Sequence, residues 1–303
     1  MTNRIDVFAH VLPPHFYQSM LKIDPQIPAK FPFINIKALS DMELRRANFD
    51  GTTKQVISAV NINPEDFVNA DQAATLCQQA NEEISSMVAE NSDMFCAGIA
   101  MLPMNNVPAA IKMINNLPEN FVGIQLFTRA NGKSIASPEY DSIFKAAANR
   151  NLLILLHPIF DSRKPDNNLV FSWEYELSQA TLQLVQNGLF NRYPNIKIII
   201  HHAGAMIPFF AGRIDHILPA EQASSFKKFY VDTALLGNAP ALRLAIDYFG
   251  TDHVLFGTDA PFGEQPAGAT QTIINALTEL QLSAKDIQAI NYENYQRLVA
   301  DIK

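Results

Sequence analysis

Eight short apolar runs alternate with longer stretches of helical period along this chain, and no other feature narrows its possible folds so far. The runs fall at 5–9, 54–60, 95–102, 122–127, 152–156, 196–201, 229–233 and 254–257. Each is rich in Val, Ile, Leu or Phe and is of strand length. Between them, 66–91 carries Phe67, Ala70, Ala74, Cys77, Ala80, Ile84 and Val88 at roughly helical spacing. The segments 105–117, 173–188, 239–249 and 265–280 read the same way, and 283–301 closes the chain as a helix with Ser283 as its cap. Ser137-Pro138 predicts a further helix start, with Ser as the cap and Pro in the first helical position.

Strands that alternate with helices pair in parallel through crossovers. A run such as LLILL, apolar at every position, suits a sheet covered on both faces. The expected architecture is therefore α/β, a (β/α)8 barrel of the TIM type. An open doubly wound sheet is the competitor, but no G-x-G-x-x-G follows the first strand and there is no P-loop. Polar residues instead end several runs spread along the chain, as in a barrel whose chemistry rises from the C-terminal ends of its strands. With 303 residues, 48% hydrophobic, one barrel domain over 1–303 is expected. The proline-containing stretch 23–36 is read as a small insertion near the barrel mouth.

Charge excludes several function classes. The net charge is -7 and no run of Lys or Arg marks a nucleic-acid or membrane surface. Cys77 and Cys96 are the two cysteines, and they read as packed, reduced thiols. The opening MTNRIDVFAHVLPP lacks the apolar stretch of a signal peptide, so the cytoplasm is the expected compartment.

The chemistry lies at the strand ends. His10 stands just past the first run, on the same strand face as Asp6 and Phe8. The fifth run ends LLHP, with His157. The sixth ends IIIHHAG, and LFGTDAPFG places Asp259 beyond the eighth. One such ending is commonly structural, but four converging on one barrel mouth are hard to explain by packing. Imidazoles with a carboxylate suit Zn or Mn and leave coordination positions open. His201 and His202 are adjacent, so on a strand only one faces the barrel, and parity alone does not choose between them.

These motifs resemble those of the amidohydrolase superfamily, in the amidohydrolase-2 branch around aminocarboxymuconate-semialdehyde decarboxylase. IDVFAHVLPPHF is similar to the branch's first-strand D-x-H-x-H and its proline turn, and LLHP to its strand-five ligand. HHAGAMIPFFAGRID follows H-x-G-x-x-x-P and G-R-I, with His202, Gly204, Pro208, Gly212, Arg213 and Ile214 in register. LFGTDAPFG follows G-T-D-x-P. The resemblance covers essentially the whole chain. It implies that His10, His157 and Asp259 bind one divalent metal, zinc first and manganese second. It implies that His202 is the general acid/base, with Asp259 sharing in the chemistry, and that Arg213 binds a substrate carboxylate. A helix-surface or subunit-interface arginine is the competing reading of Arg213, and a homodimer is left open.

One departure stands out. Phe8 occupies the place of a usual first-strand ligand and cannot bind a metal. Two neutral imidazoles and one carboxylate around a divalent ion still leave a site charge of about +1, attractive to an anion. The leading expectation is non-oxidative removal of CO2 from a small unsaturated or aromatic carboxylic acid. In it, His202 protonates the carbon that loses CO2, Arg213 clamps a carboxylate, and Phe171 and Trp173 wall a planar ring or belong to an ordinary helix core. The runner-up is hydrolysis by metal-activated water, with Asp259 or His202 as base, on a small carboxylate, lactone or amide. Gln125 stands in the strand-four segment where a carbamylated lysine would bridge two metals, so one metal is expected. Oxygenation at a two-His-one-carboxylate iron site is disfavoured, because its usual scaffold is a double-stranded β-helix and this chain is rich in helical segments. A catalytically silent barrel that binds a small acid has Phe8 in its favour and His202 against it.

Overall fold

The computed structural model describes residues 4–160, 167–266 and 268–303. Seven strands form one parallel sheet: β1 (Arg4–Val11), β2 (Thr53–Ala59), β3 (Phe95–Ala100), β4 (Phe121–Phe127), β5 (Leu153–His157), β6 (Lys197–Ile200) and β7 (Tyr230–Val231). Their order in the sheet is their order in the chain, as βαβ crossovers of one hand produce. Helices α1 (Pro14–Ile23), α2 (Ala70–Glu90), α3 (Val107–Asn115), α4 (Asp141–Asn149), α5 (Ser172–Gln186), α6 (Ala239–Phe249) and α7 (Thr270–Glu279) lie between the strands or follow the last of them. Local chemistry fixes several of their starts: Asn69, Asn106 and Asn238 accept from Gln72 N, Ala109 N and Ala241 N. Ser283 caps the C-terminal helical segment as expected. Ser137 makes no side-chain cap; a 3-10 turn, Pro138–Tyr140, precedes α4 instead.

The expected eighth strand is not one. The 254–260 segment meets the sheet in two isolated bridges, Val231 to Val254 and Ala9 to Ala260, and not in a continuous ladder. Its backbone groups have other partners: Phe256 N donates to Ile290 O at 2.9 Å, and Asn294 Nδ2 donates to Val254 O at 2.7 Å. The segment nevertheless lies between β7 and β1. Leu255 N donates to Val231 O at 2.8 Å, Val7 N to Phe256 O at 2.9 Å and Asp259 N to Phe8 O at 2.8 Å.

Two apolar layers hold the sheet. Leu153 and Leu155 of β5 share a cluster with Ile5, Val7, Ile199 and Leu255, on the strand face that also carries His157. The opposite face, with Ile154 and Leu156, belongs to the larger core beneath the helices. Simple alternation fails on β1, where the register with β2 shifts between Asp6 and Ala9. Such a bulge re-aims side chains, so Val7 joins the inner cluster while Phe8 and His10 still reach the site. The 23–36 stretch folds as a short helix, Ile27–Lys30, and a 3-10 turn, Pro32–Asn35, which puts Phe33 on the wall of a cavity at the C-terminal ends of the strands.

Candidate active site

His10, His157, His202 and Asp259 line one cavity of about 890 Å³ at the C-terminal ends of the strands. His10 is 1% exposed, and its Nδ1 lies 3.1 Å from Ser58 Oγ at the end of β2. His157 Nδ1 lies 2.6 Å from the carbonyl of Pro158. A carbonyl only accepts, so Nδ1 carries the proton and Nε2 keeps its lone pair for a ligand. Burial above all, aided by the imidazoles of His10 and His201, holds His157 far below the usual histidine pKa and therefore neutral.

The donors fit a divalent ion in part. His10 Nε2 and Asp259 Oδ1 are 3.2 Å apart, close to the separation of roughly 3 Å between neighbouring ligands that each bind at about 2.0–2.2 Å. The His10 and His157 ring centroids are 5.1 Å apart at 75°, a spacing that two imidazoles on one ion can share. Among the described residues, no three His, Cys, Asp or Glu side chains close around a single point. His157 adjoins this pair without closing on it. Phe8 packs among the three imidazoles of His10, His157 and His201. It is fully buried, with ring centroids 4.9 Å from His10, 5.6 Å from His157 and 3.4 Å from His201. Gln125 of β4 is buried and donates to Ala59 O at 3.2 Å.

Both adjacent histidines are buried, but only His202 lines the cavity, and a turn, not strand alternation, separates them. β6 ends at Ile200, and His202 and Ala203 take left-handed backbone at φ 54. This conformation is costly for residues with a side chain, and it turns His202 back over the cavity instead of onto the far face. Asp232, at the end of β7, holds the turn: its Oδ1 accepts from Ala203 N and Ala234 N, and its Oδ2 meets His201 Nδ1 at 2.7 Å. Gly204, at φ +81, completes it, since a Cβ there would come within 2.6 Å of Phe249. His201 lies fully buried and stacked on Phe8, outside the cavity wall, and its Nε2 has no hydrogen-bond partner among the described residues. Burial, the main cause, keeps His201 below the usual histidine pKa despite Asp232.

His202 is the opposite case. Its Nδ1 lies 2.6 Å from Glu174 Oε1. Burial opposes the charged ring, but Glu174, helped by Asp259 and Asp232, outweighs it and lifts His202 to about 9. An imidazolium on this wall can donate a proton into the cavity. Trp173 stacks on it at 22°, with centroids 6.4 Å apart, and is 9% exposed. Phe171, 76% exposed, stands at the rim. Arg213, in the helix Ala211–Ile217, is exposed and is not among the cavity-lining residues, so a single chain does not bring it to the site.

Sequence reasoning missed Glu174, Asp232 and Ser58. Asp232 could have been found by the rule that found Asp259, for the seventh run also ends on a carboxylate, in YVDT. Glu174 carries a weaker signal: it is the acidic residue in the first turn of α5, which follows the strand that carries His157.

Comparison with known proteins gives the family and the fold. A family model described as amidohydrolase matches residues 7–299. The 2-amino-3-carboxymuconate-6-semialdehyde decarboxylase of Dictyostelium discoideum is 27% identical over 266 residues, 81% of this chain and 73% of that protein. The structure of 5-carboxyvanillate decarboxylase from Sphingomonas paucimobilis superposes with a TM-score of 0.83 at 20% identity, covering 99% of this chain and 100% of that one. A dihydroxybenzoic acid decarboxylase from a Polaromonas species, solved with bound manganese and the inhibitor 2-nitroresorcinol, gives 0.78 at 22% identity and covers 99% and 97%. At these identities the two structures speak for the fold alone.

Proposed function

The chain belongs to the amidohydrolase family, and from that membership we propose that it is a metal-dependent carboxy-lyase acting on a small aromatic or unsaturated carboxylic acid. The named relatives and neighbours above are decarboxylases of such acids. The observation that carries the reading is the Glu174–His202 pair, 2.6 Å long, on the wall of the cavity that also holds His10, His157 and Asp259. Decarboxylation of this kind needs an acid to protonate carbon; hydrolysis needs a free base to take a proton from water. A ring that its carboxylate partner keeps protonated, as Glu174 does His202, is suited to the first task.

His10, His157 and Asp259 would hold one divalent ion, zinc in first place and manganese in second. When bound, such an ion supplies a positive template and Lewis acid for the substrate's oxygens. Trp173 and Phe171 would set the ring plane against His202. His202 then gives its proton to the carbon bearing the carboxylate. The bond to that carboxylate breaks, its electron pair returns to the ring, and CO2 leaves. His202 recovers a proton from solvent, so no redox partner is needed. Arg213 would meet a substrate carboxylate only at a surface shared with a second copy. We also take the seven strands and the 254–260 segment as the eight staves of one closed (β/α)8 barrel in a single domain. We assign the protein to the cytoplasm; among the described residues no helix is long and apolar enough to cross a membrane.

The test is release of CO2 from hydroxybenzoic and related acids by protein loaded with zinc or manganese. Turnover that His202→Asn removes while metal content stays constant supports the reading. A loaded protein that binds such acids and releases no CO2 from any of them sinks it.

A further inference from the structure

The cavity is far larger than the reaction needs. A single benzene ring is accommodated in about 150 Å³, whereas this cavity measures about 890 Å³. Its ionisable groups are His10, His157, His202, Asp259 and Glu174, with Tyr175. Asn61 and Asn238 add amides, and the rest of the lining is dominated by apolar side chains, several of them exposed at the rim. There Phe171 is 76% exposed, Phe209 75%, Val170 65% and Leu236 60%. Isolated exposed apolar residues are ordinary, but a contiguous patch marks a binding surface. This patch is the outer wall of the same cavity that holds the reactive groups, so the occupant that reaches both is the substrate itself.

We infer that the substrate is an aromatic acid with a long apolar substituent, its carboxylate at the His202 end and its tail along Phe171, Phe209 and Leu236. The inference rests on the decarboxylase reading and deepens it. The catalytic end selects a compact anionic head. The rim has the size and polarity for several methylenes, each of which gains affinity by leaving water. A compact dihydroxybenzoic acid would leave most of the apolar wall wet.

The chain has one tryptophan, and it lines this cavity, so Trp173 fluorescence reports binding whether or not reaction follows. The experiment titrates the zinc-loaded protein with 2-hydroxybenzoic acids that carry methyl, propyl, pentyl or heptyl at the 6-position. The expected result is a Kd that falls about three- to fourfold per methylene over the series. Phe209→Ser and Leu236→Ser should weaken the heptyl acid at least tenfold more than the methyl acid. A Kd independent of chain length overturns the inference. So do rim variants that change the oligomeric state in light scattering while leaving the chain-length slope intact, which would make the rim a contact between copies. CO2 release is read separately. A steep slope without CO2 removes the decarboxylase reading and keeps the apolar-acid site; CO2 from the methyl acid with a flat slope does the reverse.

Discussion

At the scale of single residues, the site divides into groups that would hold a metal and groups that would move a proton, and substitution separates them. His157→Asn removes one donor and leaves one imidazole and one carboxylate, too few for tight binding; metal content after dialysis should fall to near zero. His202→Asn should keep the metal and lower kcat by about 10²–10⁴-fold, the usual worth of general acid catalysis. Glu174 is a positioning residue, so Glu174→Gln should lower kcat less and also shift the pH profile. The sign follows from its role. Glu174 raises the pKa of His202, activity needs the charged ring, and activity is lost as pH rises through that pKa. Without the carboxylate the alkaline limb moves to lower pH, whereas a purely structural defect would lower the rate at every pH alike. Phe8→His puts an imidazole between His10 and His157 and should tighten metal binding in competition with a chelator. Equal metal loss from variant and parent would make Phe8 a packing residue only. His10, His157 and Asp259 could be read from the sequence because each ends an apolar run. Only one of His201 and His202 faces the cavity, but extended backbone is not the reason, because φ 54 at His202 lies outside any strand.

At the scale of elements, the turn after β6 is the piece that the apolar pattern could not disclose. The run 196–201 reads as strand through His201, while the chain leaves the sheet at Ile200. What makes it leave is tertiary: Asp232 draws in Ala203 N, Ala234 N and His201 Nδ1 from across the strand boundary. Gly204→Ala should therefore cost roughly 2–3 kcal/mol in urea unfolding, through a left-handed backbone and a close contact that alanine fits poorly. Wild-type stability in that variant would mean the turn can relax away from Phe249. The eighth run departs from a regular strand for a related reason. Its apolar residues are buried as a strand's would be, but Ile290 and Asn294 take backbone groups that a ladder would use. Helices were read more faithfully, because a long 3.6-residue period has fewer competitors; α6 begins and ends where the sequence placed it.

At the scale of the whole molecule, the proposed ligands are a tie across the sheet. His10 ends β1, His157 ends β5, and Asp259 rides on the 254–260 segment between β7 and β1. That segment bridges β7 and β1, Asp259 N donates to Phe8 O at 2.8 Å, and Asp259 Oδ1 faces His10 Nε2 at 3.2 Å. An ion bound to all three would join the start, middle and end of the chain at one point. Binding to the folded state alone stabilises by about 2.7 kcal/mol at a free ion concentration near 100 times the Kd. A ΔΔG of 1 kcal/mol shifts the Tm by about 2–4 °C in chains of 150–250 residues. Zinc or manganese added to chelator-treated protein should thus raise its Tm by roughly 5 °C. The rise should grow with the logarithm of the free ion concentration, and His157→Asn should abolish it. His202→Asn should keep it, since the proton donor is not among the ligands. An equal rise in the His157→Asn protein would place the ion elsewhere, and no rise in the parent at saturating metal would mean that these three residues do not form a metal centre.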